Sequence, residues 1–486
     1  MALTLYDSAT RRKREFIPLQ DKKVGMYVCG VTVYDLCHIG HARSAIVFDV
    51  LSRYLRARGF QVIYVRNFTD VDDKIIDRAN QLGKDTRELA REYIDAFHED
   101  MERLKVLPAD KEPRATEHID GMIEMINTLI QKGHAYVEGR DVFFSVESFR
   151  GYGALSGRRL EDMQAGSRVA VDERKHHPMD FVLWKGAKPG EPQWESPWGP
   201  GRPGWHMECS VMSHHFLGKT FDIHGGGKDL IFPHHENERA QSIAACGGEF
   251  ARYWVHNGFV TVESEKMSKS LGNFLTIRDA LKEYHPEVLR FFLLSKHYRS
   301  PLDFSRSAVN HVQSGVVRIY RTFQRLNEML GPIEPPKGVQ GIIPAGEEIE
   351  EGFLKRFVAV MDDDLNTAGA IGLIFEKIRD LNRRLDSGSL STDPALRDDL
   401  ERDRRNLLLA GSILGILDED PEAFFEDLSG GPEQIDPVEI ERMIEERARA
   451  RARKDWTAAD AIRDRLRERG VILEDGPKGT TWRIDL

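Results

Sequence analysis

The sequence has little cysteine and no long apolar run. Four cysteines among 486 residues, at positions 29, 37, 209 and 246, are too few and too scattered for a disulfide framework, so we expect them to bind metal or to pack. No stretch approaches the roughly 18 consecutive apolar residues of a membrane-spanning helix. Basic residues 11–14 stand where a secretion signal would need its apolar core, which favours a cytoplasmic protein with no membrane partner.

The composition excludes wholesale disorder. Hydrophobic residues make up 41% and charged residues 30% of the chain, as in ordinary globular proteins. This length exceeds one hydrophobic core, and domains of ~100 to 200 residues predict about three of them. A net charge of -10 at first argues against a nucleic-acid partner. Residues 417–446 alone hold twelve acidic residues and one arginine, so the rest of the chain sums to +1 and that argument disappears.

Two βαβ units organise the first half of the chain. Short Val- and Tyr-rich runs at 24–29 and 60–66 predict buried strands, and the apolar spacing between them predicts a helix that ends at Gly59. The strands of such a unit are parallel, and ligands bind at their carboxyl ends. The loop after Cys29 is therefore the first candidate site. A second unit of the same kind begins near Phe221.

The remaining segments differ in composition. Residues 186–204 are rich in Gly and Pro, which predicts no regular structure and suits the exit of an insertion that splits one α/β domain. After about residue 316 we expect charged helices, a linker at 331–345 and further helices from about 347 to 416. An acidic linker, one basic helix and a short strand-like end complete the prediction.

The loop after the first strand carries a candidate phosphate site. His38 and His41 are separated by two residues, with Gly40 between them, at the start of the predicted helix. Side chains and free N–H groups at a helix N-terminus can face one polyanion together, which suits a triphosphate. The segment is neither the GxxxxGK[ST] phosphate loop nor a GxGxxG fingerprint. Taken alone, the two histidines could equally be ordinary helix caps.

A second motif, Lys266-Met267-Ser268-Lys269-Ser270, follows the last strand of the α/β region. Two lysines around small hydroxyl residues form a cationic arm that can neutralise charge as pyrophosphate leaves, although a solvated loop has the same composition. Together the two motifs resemble the HIGH and KMSKS signatures of class I aminoacyl-tRNA synthetases. That resemblance implies catalytic roles for His38, His41, Lys266 and Lys269. It implies ATP contacts for these four and for Gly40, Ser268, Gly225 and Gly226.

A metal site is predicted beside the first motif. Cys29 ends the first strand, Cys209 follows the Gly- and Pro-rich segment, and His234 and Glu238 lie four residues apart on one face of a predicted helix. These four could converge on one zinc ion, which accepts thiolate, imidazole and carboxylate ligands.

Alternatives to this ligand set remain open. Buried cysteines often behave as small hydrophobic residues, which is our interpretation of Cys37 and Cys246 in their apolar helical contexts. His235 or Glu236 could replace a ligand if the phase of the helix differs. Four dispersed ligands are also a weaker signal than paired CxxC motifs.

Five blocks make the resemblance more specific. CGVTVYDLCHIGHARS, FTDVDDKI, RPGWHMECS, DIHGGGKDLIFPHHENERAQ and EKMSKSLGN resemble the cysteinyl-tRNA synthetases, and the similarity covers essentially the whole chain. That family holds zinc with two Cys, one His and one Glu, which fall here on Cys29, Cys209, His234 and Glu238. A plain pocket separates cysteine from serine only roughly 10 to 200-fold, whereas zinc favours the soft thiolate, so we expect no editing domain.

The resemblance implies the reaction and the architecture. We expect ATP, with Mg²⁺, to activate L-cysteine to cysteinyl-adenylate, and the aminoacyl group to pass to the 3′-terminal ribose of tRNA(Cys). No DNA partner is expected, and we expect a monomer with one zinc ion per subunit. The implied fold is an α/β Rossmann-like catalytic domain with an insertion, followed by α-helical tRNA-binding domains. Its expected parts are 1–110 and 201–260 as the catalytic halves, 111–200 as the insertion, 261–315 as the KMSKS loop and stem-contact region, 316–425 as a helical bundle, and 426–486 as an anticodon-binding domain.

Other residues receive smaller roles. Thr69 follows a strand and is a candidate contact of the amino acid, although a turn-capping threonine is the alternative. Trp205 could form the floor of a small pocket or belong to the core. Asp229 is a candidate partner for the substrate ammonium. The complete predicted substrate set is Gly30, Thr69, Trp205, His206, His224, Asp229 and His256, and Gly225 and Gly226 are predicted to let backbone approach the adenosine.

The C-terminal region is predicted to bind RNA. Residues 447–469 hold nine basic against four acidic residues and one tryptophan, which suits phosphate contacts and stacking on an unpaired base. A solvated helix with i, i+4 ion pairs is the alternative. The resemblance favours an anticodon-binding end, in which Arg451, Trp456, Asp460 and Asp475 match the pattern of the family.

Two other functions remain open at this point. A ligase that joins cysteine to an amino sugar, as in mycothiol biosynthesis, shares the catalytic domain but has no use for the 170 or so residues after 316. A non-catalytic tRNA-binding relative with a structural zinc would not need both intact motifs.

Overall fold

The computed structural model describes residues 2–160, 173–262, 265–266, 275–343, 352–386, 394–428, 437–453, 455–468, 471–476 and 479–484. Among these residues no helix is both long and apolar enough to cross a membrane.

The described strands are two to ten residues long. In chain order the strands are β1 Thr4–Asp7, β2 Arg12–Glu15, β3 Lys23–Thr32, β4 Gln61–Thr69, β5 Ala135–Glu138, β6 Asp141–Phe144, β7 Phe181–Gly186, β8 Gly201–Pro203, β9 Thr220–Gly227, β10 Phe250–Asn257, β11 Val260–Val262, β12 Glu265–Lys266, β13 Leu302–Phe304, β14 Val471–Gly476 and β15 Gly479–Ile484.

Helices dominate the C-terminal half. They are α1 Ile39–Ala57, α2 Asp73–Leu82, α3 Thr86–Arg103, α4 Ile119–Gln131, α5 Trp205–Leu217, α6 His234–Cys246, α7 Ile277–Glu283, α8 Pro286–Leu294, α9 Arg306–Leu330, α10 Phe353–Asp362, α11 Thr367–Asp386, α12 Pro394–Leu414, α13 Pro421–Leu428, α14 Pro437–Ala452 and α15 Trp456–Glu468. Short 3-10 helices span Ala115–Glu117, Val146–Ser148 and Lys228–Ile231.

A four-stranded parallel sheet in the order β10-β9-β3-β4 forms the centre of the first half. This confirms both predicted βαβ units, with α1 and α6 as their helices. Because all four strands run in one direction, their carboxyl ends meet at one edge, where ligands of such sheets bind. The pairing of β3 with β4 shifts register between Val28 and Val31, which takes Cys29 and Gly30 out of the regular ladder at this edge.

A second, antiparallel sheet, β5-β6-β7-β8, lies between the two halves of the parallel sheet in sequence. The expectation that residues 186–204 hold no regular structure is wrong at its end, because β8 pairs with β7. Glycine permits this pairing, since a Cβ on Gly201 would lie 2.3 Å from Trp184 Nε1. The domain boundaries proposed from the sequence remain predictions.

The helical half differs from expectation in two places. The first long helix begins at Arg306, about ten residues earlier than predicted, because Ser305 caps it by accepting a hydrogen bond from the Ala308 N–H. The acidic segment is not a simple linker. It contains α13, whose Phe424 is fully buried and stacks on Tyr320 with ring centroids 3.9 Å apart. The Phe424 side chain thus attaches α13 to the rest of the protein, although the negative charge of this segment predicted a solvent-exposed linker.

The C-terminal end has two helices where one basic helix was predicted. Asp455 separates α14 from α15, and its carboxylate accepts a hydrogen bond from the Ala458 N–H at the start of α15. The predicted strand-like end is a hairpin of β14 and β15. Leu466 and Met443, both buried, pack α15 against α14.

A buried charge network joins α8 to α1 and to the ends of α3 and α12. Arg290 in α8 is paired with Asp49 in α1 and donates to the carbonyl oxygens of Leu414 at 2.8 Å and Leu104 at 2.9 Å. Arg53 also donates to Asp49, at 2.9 Å. Because neither Arg290 nor Asp49 reaches solvent, each must be satisfied by the other and by the backbone.

Replacing Arg290 by leucine should therefore destabilise the whole first half. We expect the free energy of unfolding in urea, followed by circular dichroism, to fall by about 3 kcal/mol or more, because a buried carboxylate loses a partner. Arg306→Leu is the matched control, since its ion pair with Glu283 is exposed and should change stability by less than ~1 kcal/mol. Equal effects of the two substitutions would contradict this account.

Candidate functional site

A cavity of about 600 Å³ opens at the carboxyl edge of the parallel sheet. Its wall includes the end of β3, the loop that follows, the first turn of α1, the middle of β4, and residues 257–261, from the end of β10 into β11. The loop after Cys29 therefore lies where the sequence predicted a site. Seven of the predicted site residues line the cavity, namely Cys29, Gly30, His38, Gly40, His41, Trp205 and Asp229.

His38 and His41 cap the N-terminus of α1 and also face this cavity. His38 Nδ1 accepts a hydrogen bond from the Gly40 N–H at 3.0 Å, and His41 Nδ1 accepts one from the His38 N–H at 3.2 Å. The two rings stack with centroids 3.8 Å apart. The capping and ligand-binding interpretations are thus compatible, because capping uses Nδ1 and a ligand would meet the Nε2 edge.

The protonation state of His41 follows from this geometry. Burial, together with the charge of His38, lowers the pKa of His41 to about 3, so the ring is neutral at ordinary pH. Since Nδ1 accepts from a backbone N–H, the single proton resides on Nε2. His41 can therefore offer a neutral N–H donor to an oxygen in the cavity.

The lysine-rich motif begins close to the same place. Lys266 lies in β12 and pairs across the ladder with Thr261, a residue of the cavity wall. Ser268 and Lys269 lie outside the described residues. Where the described chain resumes, the Ile39 N–H donates to the Leu275 carbonyl at 3.1 Å, next to the histidine caps. The described residues on the two sides of this segment are thus attached to the cavity wall, through Thr261, and to the start of α1, through Leu275.

The four predicted metal ligands converge. Donor atoms of Cys29, Cys209, His234 and Glu238 all lie within 4.8 Å of one another. Cys29 Sγ is 3.6 Å from Cys209 Sγ and 3.3 Å from Glu238 Oε1, and His234 Nε2 is 2.9 Å from that same oxygen. Two sulfurs at ~2.3 Å from a tetrahedral zinc are separated by about 3.8 Å, so the donor set fits zinc.

The charges within this cluster compensate one another. Burial alone would lower the pKa of His234, but the charge of Glu238 and a hydrogen bond to Cys209 raise it to about 10. Burial alone would raise the pKa of Cys209, but the hydrogen bond from Cys29 and the charge of His234 lower it to about 6. A carboxylate, a thiolate and an imidazolium thus balance one another's charge in this buried site, and a metal cation would bind the imidazole only by displacing its proton.

The structure also places His235 and Glu236, the two alternative metal ligands. His235, with His224, forms a second group with Cys29 and Glu238 whose donor atoms also lie within 4.8 Å of one another, so His235 stays a candidate. Glu236 accepts a hydrogen bond from the Ser156 N–H at 2.8 Å instead.

The two remaining cysteines do not belong to either ligand group. Cys37 is buried in the loop before α1, not in a helix as expected, and burial raises its pKa to about 12. Cys246 ends α6, half-buried against apolar neighbours.

A second layer of side chains holds the cluster. His206 Nδ1 lies 2.8 Å from His234 Nδ1, and the Trp205 ring stacks on His234 at 4.2 Å. His224 Nε2 lies 2.8 Å from the second oxygen of Glu238. His256 contacts His235 at 2.8 Å. Partners of this kind fix the orientation of metal ligands. His206, His224 and His256 surround the cluster and are not among the residues that line the cavity.

Three other predicted contacts are placed away from the cavity wall. Thr69 is buried and donates to Glu208 Oε2 at 2.6 Å. A Cβ on Gly225 would lie 2.3 Å from Phe48, and one on Gly226 would lie 2.9 Å from Leu230, so both glycines serve packing of β9. Gly227 is the residue of this glycine run that lines the cavity.

Sequence reasoning missed Asn67. Its Oδ1 accepts a hydrogen bond from the Gly30 N–H at 2.9 Å and lies 3.7 Å from Cys209 Sγ. A Cβ on Gly30 would lie 1.5 Å from the Asn67 carbonyl oxygen, which explains the glycine. A signal was present in the sequence, because Asn67 is a polar residue directly after the predicted strand 60–66, just as Cys29 ends the predicted strand 24–29.

The predicted anticodon residues lie in the C-terminal unit. Trp456 is the first residue of α15 and 59% exposed, which suits stacking. Arg451 is exposed in α14. Asp460 in α15 lies 3.4 Å from Arg463. Asp475 pairs with Thr480 in the hairpin, and its side chain is outside the description.

Comparison with known proteins gives a consistent result. Three protein-family models match the chain. The class I (C) tRNA synthetase catalytic domain matches residues 15–314, the DALR domain matches 356–418, and the cysteinyl-tRNA ligase anticodon binding domain matches 437–483. A cysteine–tRNA ligase of Pelobacter propionicus is 55% identical over 100% of both chains. One of Thioalkalivibrio sulfidiphilus is 54% identical over 99% of both.

A solved structure supports the fold. The methionyl-tRNA synthetase of Mycobacterium tuberculosis, in complex with methionyl-adenylate, is 17% identical and superposes with a TM-score of 0.57 over 85% of this chain and 92% of its own. The architecture is thus that of a class I synthetase, a Rossmann-like parallel sheet followed by helical domains. From the motifs, the catalytic-domain match and the full-length relatives, the chain belongs to the cysteine–tRNA ligase family of class I aminoacyl-tRNA synthetases.

Proposed function

We propose that this chain joins L-cysteine to tRNA(Cys) in two ATP-dependent steps, and that Cys29, Cys209, His234 and Glu238 select the amino acid through zinc. The observation that carries the proposal is the convergence of these four donors beside a cavity whose wall also holds His38 and His41. A metal-ligand set and a helix N-terminus thus serve one cavity, as an amino acid and a triphosphate together would require.

In the first step the cysteine carboxylate attacks the α-phosphate of ATP, which carries Mg²⁺, and pyrophosphate leaves. His41 donates a hydrogen bond from its Nε2–H group to a phosphate oxygen, and His38 lies stacked beside it. Lys266 and Lys269 neutralise the charge that develops on the pyrophosphate. No side chain forms a covalent intermediate, so catalysis consists of positioning and electrostatic stabilisation.

The metal ligands define the side-chain pocket. A bound zinc ion would accept the thiolate of cysteine as a ligand far better than the hydroxyl of serine. Cys29 and Trp205 line the cavity, so the substrate side chain would reach the cluster past them. His206 and Trp205 hold the His234 ring in place.

In the second step a ribose hydroxyl at the 3′ end of the tRNA attacks the carbonyl carbon, the bond from that carbon to the phosphate oxygen breaks, and AMP leaves. Arg451, Trp456, Asp460 and Asp475 are proposed to contact the anticodon. The match of residues 437–483 to an anticodon binding domain favours a tRNA over an amino-sugar acceptor. Monomeric state remains a prediction.

The direct test of the function is cysteine-dependent exchange of ATP with pyrophosphate, measured with the zinc content of the same protein. Cys209→Ser should lose zinc and lower exchange about 100-fold or more, because a ligand is removed from a buried site. Cys246→Ser, a half-buried cysteine outside the cluster, should match the parent chain in both measurements. Full zinc occupancy without exchange would contradict catalysis, and equal exchange with serine and cysteine would contradict the role of zinc.

Two substitutions of His41 should separate its capping role from its catalytic role. An asparagine oxygen can replace the Nδ1 acceptor but leaves nothing at Nε2, so His41→Asn should keep the melting temperature and slow exchange about 10² to 10³-fold. His41→Gln offers an amide near Nε2 without the cap, and should lose ~1 kcal/mol of stability while retaining more activity. If activity falls in proportion to stability in both variants, the catalytic role of His41 is contradicted and only its capping role remains.

Replacing Trp456 by alanine should weaken tRNA binding without affecting activation. We expect the KM for tRNA(Cys) in aminoacylation to rise roughly tenfold, because stacking of one base on an aromatic ring contributes about 1 to 3 kcal/mol. Exchange, which needs no tRNA, should stay as in the parent chain. A tRNA with an altered anticodon loop should show no difference between the two proteins, and a persistent difference would place the contact elsewhere.

A further inference from the structure

The helix that carries two of the metal ligands, α6, is held from its other side by a distant part of the chain. His234 and Glu238 lie four residues apart on the face of α6 that meets the two cysteines. A helix turns about 100° per residue, so Glu236 lies on the opposite face. There it meets residues 149–158, which follow the 3-10 helix Val146–Ser148 and which we call the brace segment.

A buried carboxylate makes the main contact between α6 and the brace segment. Glu236 is 0% exposed, and its Oε2 accepts a hydrogen bond from the Ser156 N–H at 2.8 Å. Its Oε1 accepts a longer one from the Leu155 N–H at 3.5 Å and lies 3.9 Å from Arg239 Nη1. Arg239 Nη1 also donates to the Gly151 carbonyl at 3.0 Å. Because a buried charge is stable only when it is satisfied, α6 and the brace segment depend on each other.

A second polar contact lies directly beside a metal ligand. The Tyr152 hydroxyl donates to Asn237 Oδ1 at 2.6 Å, and Asn237, which precedes Glu238 in the chain, is 2% exposed. Leu155 is also buried, in the same apolar cluster as Cys209. The brace segment is thus attached by polar and apolar contacts to the surroundings of the metal ligands.

The other end of α6 is held in a similar way. Lys132, directly after α4, donates from Nζ to the carbonyl oxygens of Ala245 at 2.6 Å and Ala244 at 3.4 Å. The last carbonyls of a helix lack partners within the helix, and a cation at this end is favourable. Lys132 and the brace segment both fall in the range 111–200, where the sequence predicts an insertion. Contacts from this range therefore reach both ends of α6.

We propose that the brace segment positions the metal ligands of α6, with Tyr152 and Glu236 as the residues that transmit its position. The four ligands come from β3, α5 and α6, and such a site needs its ligands held within about 0.5 Å of their working positions. Neither Tyr152 nor Glu236 lines the cavity, so both are positioning residues and not catalytic ones. This inference rests on the proposed function, because it concerns the same metal ligands.

The test measures zinc affinity in Tyr152→Phe, which removes one hydrogen bond to α6 and keeps the ring. The dissociation constant for zinc, from competition with a chromogenic chelator well below the melting temperature, should rise about tenfold, because outer partners of metal ligands contribute roughly 10 to 100-fold to affinity. Tyr136→Phe is the matched control. The Tyr136 hydroxyl donates to Asp180 at 2.8 Å, within the predicted insertion and away from α6, so this variant should keep the zinc affinity of the parent chain.

Glu236→Gln and cobalt substitution give independent measurements. The glutamine keeps the shape of Glu236 but removes its charge and one acceptor oxygen, so zinc affinity should fall further than in Tyr152→Phe. Cobalt(II) in place of zinc has a visible spectrum that reports the geometry of its ligands. We expect this spectrum to change in Tyr152→Phe and Glu236→Gln and to stay the same in Tyr136→Phe. The preference for cysteine over serine in the exchange reaction should fall in the same two variants.

The outcomes separate this inference from the proposed function. If the parent chain binds no zinc, or shows no cysteine-dependent exchange with zinc bound, the proposed function is wrong. If the parent chain does both, and Tyr152→Phe and Glu236→Gln keep its zinc affinity and cobalt spectrum while their melting temperatures fall, the brace segment only stabilises the fold and the inference is overturned. Equal losses of zinc affinity in Tyr152→Phe and Tyr136→Phe would overturn it as well.

Discussion

A carboxylate with no access to solvent sets the conditions for the whole site. Glu238 is 0% exposed at the carboxyl edge of a parallel sheet, and a buried charge is stable only when it is paired. His234 and His224 each lie within 2.9 Å of one of its oxygens, and Cys29 lies 3.3 Å away. This pairing brings α6, β9 and the end of β3 together. The same contacts that make the buried charge tolerable therefore assemble a metal-ligand set.

At the start of α1, too, the same side chains serve both the stability of the fold and the candidate site. A helix N-terminus must satisfy free N–H groups, and His38 and His41 do so with Nδ1. Because this contact decides the tautomer of His41, capping also places a proton on the atom that can meet a phosphate. Local helix stability and ligand binding thus depend on different atoms of one ring, which is why the two interpretations of this motif never excluded each other.

Much of this could be predicted from particular residues. The parallel strands followed from the Val- and Tyr-rich runs, and the metal set followed from Cys29 at a strand end and from the i, i+4 spacing of His234 and Glu238. Other contacts could not be predicted, because they depend on packing between distant segments. Thr69 bonds Glu208, from a helix that follows the insertion, and no local pattern relates the two. Likewise the docking of Phe424 on Tyr320 gives structure to a segment whose composition predicted a linker.

One buried cation, Arg43, holds part of the cavity wall in place against α1. Arg43 lies one turn from the histidine caps, is 0% exposed and forms no ion pair among the described residues. It donates instead to backbone carbonyls, including those of Phe259 at 2.8 Å and Ser300 at 2.6 Å. Burial lowers the pKa of Arg43 to about 10, so the guanidinium still carries its charge at neutral pH. Because Phe259 belongs to the cavity wall just before β11, one buried side chain fixes this part of the wall relative to the start of α1.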